Sequence, residues 1–402
     1  MLGAALVLLI AGALLCLKLY GGACSAAVTT ETPLKSAQKK SSGIAVANKK
    51  TPLPPLEQMI GQMLMLGFLG TEPEHKGVIE AKRLLDKGLI GGLIFMGRNL
   101  ETKTQVKTLL STFSHGSARA LPGFFAIDQE GGKVQRLREA HGFSDVPEAG
   151  TIGADLSPAK AQQIYQTMAG ELASVGFNVN FGPVVDLNLV PTNPIIGQKG
   201  RSYGGKSHNV ERYARSFVLA HRQHKILTSL KHYPGHGSSW TDSHEQFVDL
   251  SKSWQPQELM PYRGLVSLGL VDMVMVGHLY HPDFSDGGKI PASLSRKAID
   301  RLRHDIGFKG LVVTDDLGMG AIKKYFSYEE TLIRAIHAGN DLLLLVDPKL
   351  ASEKEMARLH KIIRGALRDK KISRQAIERA YERVVDIKQR LLMGRRAQNV
   401  AP

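Results

Sequence analysis

Residues 310–316 read GLVVTDD: Gly310, three apolar residues, Thr314, then Asp315 and Asp316. A short β-branched run of this kind suits a strand buried on both faces, as in a parallel sheet covered by helices. The two aspartates end it abruptly. Working outward, the same pattern recurs at Met63–Phe68, Gly91–Met96, Gly123–Asp128, Asn178–Asp186, Ile226–His232, Met273–His278 and Asp341–Asp347. Between these runs lie segments of helical periodicity, as at Pro158–Val175, His208–His224, Arg296–Ile306 and Tyr328–Ala338. Eight strands alternating with helices predict an α/β fold, a single-domain (β/α)8 TIM-type barrel. An open doubly wound sheet would alternate too, but no G-x-G-x-x-G follows the first run. The apolar spacing of Ile377, Ala380, Tyr381, Val384, Ile387 and Leu391 predicts a closing amphipathic helix over Ser373–Met393.

The ends of the chain read differently. Leu2–Leu17 is almost wholly apolar and meets Lys18, and Gly21–Cys24 reads GGAC. Residues 1–24 are expected to be an export segment, either lipidated at Cys24 or kept as an uncleaved anchor. That predicts an exported protein, periplasmic or membrane-attached. Residues 25–55 are poor in large apolar side chains and predict a disordered linker. The barrel is expected over 56–395, with a short tail at 396–402. The only cysteines are Cys16 and Cys24, which excludes a disulfide framework or a thiolate metal site in the barrel. The formal net charge of +15 favours anionic neighbours such as acidic glycans or an anionic membrane surface. No nucleic-acid partner and no cofactor are expected, and the chain is expected to be a monomer.

Asp128, Lys231, His232, His278, Asp315 and Asp316 all fall at the C-terminal ends of expected strands. In a barrel those ends form the active-site face. The polar stretch Lys231–Glu245, KHYPGHGSSWTDSHE, cannot be a regular helix. His232, His236 and His244, with Asp242, could ligate a metal. A proton-transfer device accounts for more of the stretch. Asp242 and His244, two residues apart, can place a carboxylate on one imidazole nitrogen and leave the other free to give and take a proton. Gly235 and Gly237 would let this loop move over a substrate. Asp315 is the carboxylate best placed to act as nucleophile.

Four stretches together resemble family 3 glycoside hydrolases: KHYPGHGSSWTDSHE, AIDQEGGKVQRLR (Ala126–Arg138), GRSYG (Gly200–Gly204) and VVTDDLGM (Val312–Met319). They are most similar to the β-N-acetylhexosaminidase branch, the bacterial peptidoglycan-recycling enzymes, in its single-barrel form. The resemblance implies a retaining mechanism on GlcNAc-containing cell-wall saccharides or muropeptides. It implies Asp315 as nucleophile, His244 as acid/base and Asp242 as its partner. It also implies that Asp128, Arg136, Arg201, Lys231 and His232 hold the terminal sugar. Ser238 and Ser239 stand where the family often has Asp-Thr, and Lys133 where Arg is common. Gly318 and Gly320 alter the stretch after Asp315 and are expected to loosen the helix start there. Two rivals remain: a metal-dependent barrel hydrolase using the histidines, and a catalytically silent wall-glycan-binding protein. Phosphate in place of water in the second step is also open.

Overall fold

The computed structural model describes residues 53–114 and 119–396, without side chains beyond Leu392. The expected export segment and nearly all of the expected linker lie outside these residues. Among the described residues no helix is long and apolar enough to cross a membrane.

Eight short strands form the barrel wall: β1 (Leu64–Leu66), β2 (Gly92–Phe95), β3 (Phe124–Ile127), β4 (Val179–Asn180), β5 (Leu227–Tyr233), β6 (Met273–Val276), β7 (Leu311–Thr314) and β8 (Leu343–Leu345). Every neighbouring pair is parallel, in the order β7-β6-β5-β4-β3-β2-β1-β8. A bridge between Val313 and Leu342 closes the ring. Leu342 N–H donates to the Val312 carbonyl at 3.0 Å, and Thr314 N–H to the Leu342 carbonyl at 3.0 Å. Closure removes the free sheet edge.

The apolar runs are continuous because both faces are buried. Met65, Phe124, Ala126, Met275, Leu311 and Val313 belong to one cluster, the barrel interior. Their neighbours Leu64, Leu66, Phe125, Ile127, Val274 and Val312 belong to a second, packed under the helices. The alternation follows from the two-residue period of a strand. The helices Pro158–Val175 and Tyr328–Ala338 match their expected spans, and the others expected shift by one to three residues at their ends. Ser157 and Ser327 cap these two helices by accepting a backbone N–H, and Gly176 and Gly339 end them in the left-handed conformation.

The last helix, Arg374–Arg396, closes the far end. Its Val384, Ile387 and Leu391 complete the interior cluster. Lys388 Nζ donates to the Gly91 carbonyl and to Gln62 Oε1, each at 2.7 Å. Arg383 Nε meets Asp341 Oδ1 at 2.8 Å. Gly91 and Asp341 stand just before β2 and β8, so this helix plugs the N-terminal end of the barrel and leaves the C-terminal end open for a site.

Candidate active site

At the C-terminal ends of the strands lies a cavity of about 460 Å³. That is within the roughly 300–1,000 Å³ usual for small-molecule sites. All eight site residues expected from the sequence line it: Asp128, Arg136, Arg201, Lys231, His232, Asp242, His244 and Asp315. Ile94, Met275 and Leu344 supply apolar wall from the strands themselves.

One side is a buried charge cluster. β3 ends at Ile127, and after Asp128 the chain folds back as a small hairpin, Gln129–Gly131 with Val134–Gln135. The hairpin turns Glu130 inward. Arg201 grips it with two parallel bonds, Nε to Oε2 and Nη2 to Oε1, both 2.8 Å. Lys231, from β5, has its Nζ 2.6 Å from Glu130 Oε1 and 2.8 Å from Asp128 Oδ1. Arg136 Nη2 stands 3.8 Å from Asp128 Oδ2. Burial alone would raise the Glu130 pKa, but the Arg201 guanidinium and the Lys231 ammonium outweigh it and hold the carboxyl well below its usual range. Burial likewise opposes the charge on Lys231, and Asp128 and Glu130 raise its pKa in spite of it.

The next group is His232, whose Nδ1 lies 2.7 Å from Asp186 Oδ2. Asp186 also accepts the backbone N–H groups of His232 and His236. Burial would raise its pKa, and the His232 imidazole brings it below the ordinary value instead. A carboxylate behind a cavity-lining imidazole fixes which ring nitrogen faces the cavity.

Asp315 follows β7 directly, and its Oδ1 accepts the Asp316 N–H at 2.9 Å. Burial pushes its pKa up, but His232, His278 and His244 around it hold the carboxyl below its usual range. Asp316 goes the other way: burial, reinforced by the neighbouring Asp315 charge, raises it. Two adjacent carboxyls are thus moved in opposite directions, Asp315 down and Asp316 up. Asp316 Oδ1 accepts the N–H groups of Val346 and Gly318, tying the β7 and β8 ends together.

Opposite, the loop after β5 carries His244, with 58% of its side chain exposed and Nδ1 2.8 Å from Asp242 Oδ1. The same oxygen accepts the His244 backbone N–H at 2.8 Å. Burial raises the Asp242 pKa, and these two bonds, with the imidazole charge, bring it below the usual value. The hydrogen-bonded pair expected from the spacing is formed, through Nδ1 of His244.

Three expectations change. His278 sits at the end of β6 but is fully buried behind the cavity wall, between Ser293 Oγ at 2.7 Å and the Asp316 carbonyl at 2.8 Å. The histidines of the polar stretch do not converge as ligands. Both His236 nitrogens face serine hydroxyls, Ser239 at 2.8 Å and Ser243 at 3.0 Å. Among the described residues no group of three His, Cys, Asp or Glu is arranged to hold a metal ion. Gly235 and Gly237 stand where close packing requires a glycine. A Cβ on Gly237 would collide with the Leu187 carbonyl, and one on Gly235 would come 2.6 Å from Glu258 Oε2.

Glu130 and Asp186 were missed in the sequence. Asp186 ends the fourth apolar run and obeys the same strand-end rule as Asp128 and Asp315. Glu130 lies two residues beyond Asp128, inside a hairpin that no periodicity announces.

Comparison with known proteins fits this geometry. Residues 55–387 match the glycosyl hydrolase family 3 N terminal domain. The chain is 29% identical over 367 residues to the beta-hexosaminidase A of Pseudoalteromonas piscicida, covering 83% of this chain and 61% of that one. It is 33% identical over 301 residues to the beta-hexosaminidase of Nitrosomonas eutropha, covering 72% of this chain and 82% of that one. Among solved structures it resembles a family 3 β-N-acetylglucosaminidase from Paenibacillus sp. str. FPU-7, with TM-score 0.76, 33% identity and coverage of 85% and 63%. The chain thus spans less than two thirds of the length of the Pseudoalteromonas and Paenibacillus proteins. With a closed parallel barrel, this cavity and these relatives, the chain belongs to glycosyl hydrolase family 3, on its beta-hexosaminidase branch.

Proposed function

We propose that this chain is a retaining exo-β-N-acetylglucosaminidase that removes terminal non-reducing GlcNAc from peptidoglycan fragments. The observation that supports it best is the presence in one cavity of a half-buried Asp315, its pKa held below the usual range, and a carboxylate-backed imidazole on His244. In the first step an Asp315 oxygen attacks C1 while the C1–O bond to the aglycone breaks. His244 Nε2 gives its proton to the departing oxygen, and Asp242 offsets the imidazolium charge beforehand. In the second step His244 takes a proton from water, whose oxygen displaces Asp315 from C1. Two inversions leave the anomeric configuration unchanged. The usual carboxyl-to-carboxyl spacing rule does not apply, because an imidazole replaces one of the acids.

Asp128, Arg136, Arg201, Lys231 and His232 hold the sugar hydroxyls by charge-assisted hydrogen bonds. Glu130 fixes two of the three cations among them, Arg201 and Lys231. The size of the cavity suits a terminal sugar. The net charge of +15 suits an anionic wall glycan, and the apolar start of the chain suits export with membrane attachment.

The test is trapping with a 5-fluoro GlcNAc donor followed by peptide mapping. The label is expected on Asp315, and Asp315→Asn is expected to lose turnover while melting normally. Label on another residue overturns the nucleophile assignment. GlcNAc release from muropeptides against chitobiose decides the natural aglycone. Rates with and without phosphate decide between hydrolysis and phosphorolysis.

A further inference from the structure

The segment after Asp315 meets the loop that carries Asp242 and His244. Its helix, Gly320–Lys323, starts five residues beyond Asp315. The first backbone N–H groups of a helix have no partner inside it. Here two of them go to the loop that carries the acid/base dyad. Gly320 N–H donates to the His244 carbonyl at 3.1 Å, and Ala321 N–H to the Ser243 carbonyl at 3.2 Å. Lys324 Nζ then donates to the Glu245 carbonyl at 2.6 Å. Three successive carbonyls of the dyad loop, Ser243 to Glu245, are therefore received by one short stretch of chain.

The approach is close enough to require a glycine. A Cβ on Gly320 would lie 2.6 Å from the His244 carbonyl oxygen and 2.8 Å from that of Glu245. Neither is the flexible end of a side chain, so backbone must move to admit it. The helix loosening expected of Gly320 from the sequence is not its role. The stem of the dyad loop is anchored separately. His236 is held between Ser239 and Ser243, and Asn193 Nδ2 donates to the His236 carbonyl and to Ser239 Oγ. What remains to be fixed is the tip, whose His244 side chain stands exposed.

We propose that Gly320–Lys324 is a docking seat that holds the tip of the acid/base loop in register with Asp315, with Gly320 and Lys324 as positioning residues for proton donation. The proposal rests on the reading of His244 as the acid. The seat and Asp315 share one loop, so the distance between proton donor and nucleophile is set through a single short connection. A displacement of even 1 Å at a reacting centre can cost about a hundredfold in rate.

The experiment measures kcat/KM, which reports glycosyl transfer to the enzyme, on two GlcNAc aryl glycosides. One carries a good leaving group (2,4-dinitrophenyl) and the other a poor one (phenyl). Variants are Gly320→Ala, Lys324→Met, Lys324→Arg and, as reference, His244→Ala. Gly320→Ala is expected to lose about tenfold more on the phenyl than on the dinitrophenyl substrate, within the range that general acid catalysis supplies. Lys324→Met is expected to show the same bias more weakly, and Lys324→Arg to recover it. If His244→Ala shows the bias and the seat variants do not, the seat proposal fails and the acid assignment stands. If His244→Ala itself loses both rates equally, the acid assignment fails and takes the seat with it. Melting curves identify any variant that has not folded. Lys324→Met, at an exposed side chain, keeps the test available should Gly320→Ala be such a variant.

Discussion

Replacing Glu130 by glutamine removes one negative charge from the most buried part of the site and little volume. Three cationic contacts depend on that charge: two from Arg201 at 2.8 Å and one from Lys231 at 2.6 Å. Glu130 and Arg201 are each 7% exposed and Lys231 is 2% exposed, so water screens none of them well. Lys231 keeps Asp128, but among the described residues Arg201 keeps no carboxylate within ion-pair distance. Breaking a buried pair in this way costs about 3–5 kcal/mol, because a desolvated cation is left unbalanced. A barrel of roughly 340 residues unfolds with an entropy near 0.7 kcal/mol per kelvin, so Glu130→Gln should melt about 4–7 °C lower at pH 7. The pH dependence has a definite sign. Glu130 is depressed in the folded protein, so its contribution is complete above the unfolded value near 4.3 and is lost as pH falls towards the folded value. By calorimetry the gap between wild type and Glu130→Gln should be constant from pH 5 to 8 and narrow below pH 4. A gap under 1 °C at pH 7, or one that widens in acid, would refute the electrostatic account of this cluster.

Glu258 behaves oppositely. It lies beneath the loop after β5, its Oε1 accepting from the Ser238 hydroxyl at 2.7 Å, while its buried Oε2 has no hydrogen-bond partner among the described residues. Burial pushes its carboxyl up to about 7, with Asp186 adding to the effect. Stability from this group is therefore greatest in acid and is lost as pH rises from about 4.5 through 7, by about 3 kcal/mol. Glu258→Gln should abolish that slope in urea titrations between pH 4 and 8; parallel curves for the two proteins would remove Glu258 from the account. Dialysis against a chelator should leave hydrolysis of an aryl GlcNAc glycoside unchanged. A loss restored by zinc would revive the histidine-ligand reading.

The barrel was legible because its strands are buried on both faces and so appear as uninterrupted apolar runs. The run Asn178–Asp186 overstated its strand, which is only Val179–Asn180. Pro183 has no N–H to give a ladder, and beyond it only Val184 bridges to Lys231. The dyad was legible because Asp242 and His244 are local in sequence. Glu130 was not, because its meaning depends on Arg201 and Lys231, both distant in sequence and brought to it only by barrel closure. His278 obeyed the strand-end rule and still missed the cavity, since that rule gives height along the barrel and not the direction of the side chain. Gly320 was misread for a related reason: a glycine seen alone suggests looseness, whereas here it marks a place where two backbones touch.

The helix Arg374–Arg396 also constrains how the molecule comes into being. Val384, Ile387 and Leu391 complete the cluster inside the ring, and Lys388 reaches Gly91, almost three hundred residues earlier. A nascent chain emerging from its N-terminus can form strand–helix units as they appear. It cannot dry the centre of its own ring until the last two dozen residues of the described barrel have left the ribosome. A polypeptide that stalls before Arg374 would hold an open-bottomed cylinder with wet apolar walls, a natural target for chaperones and proteases.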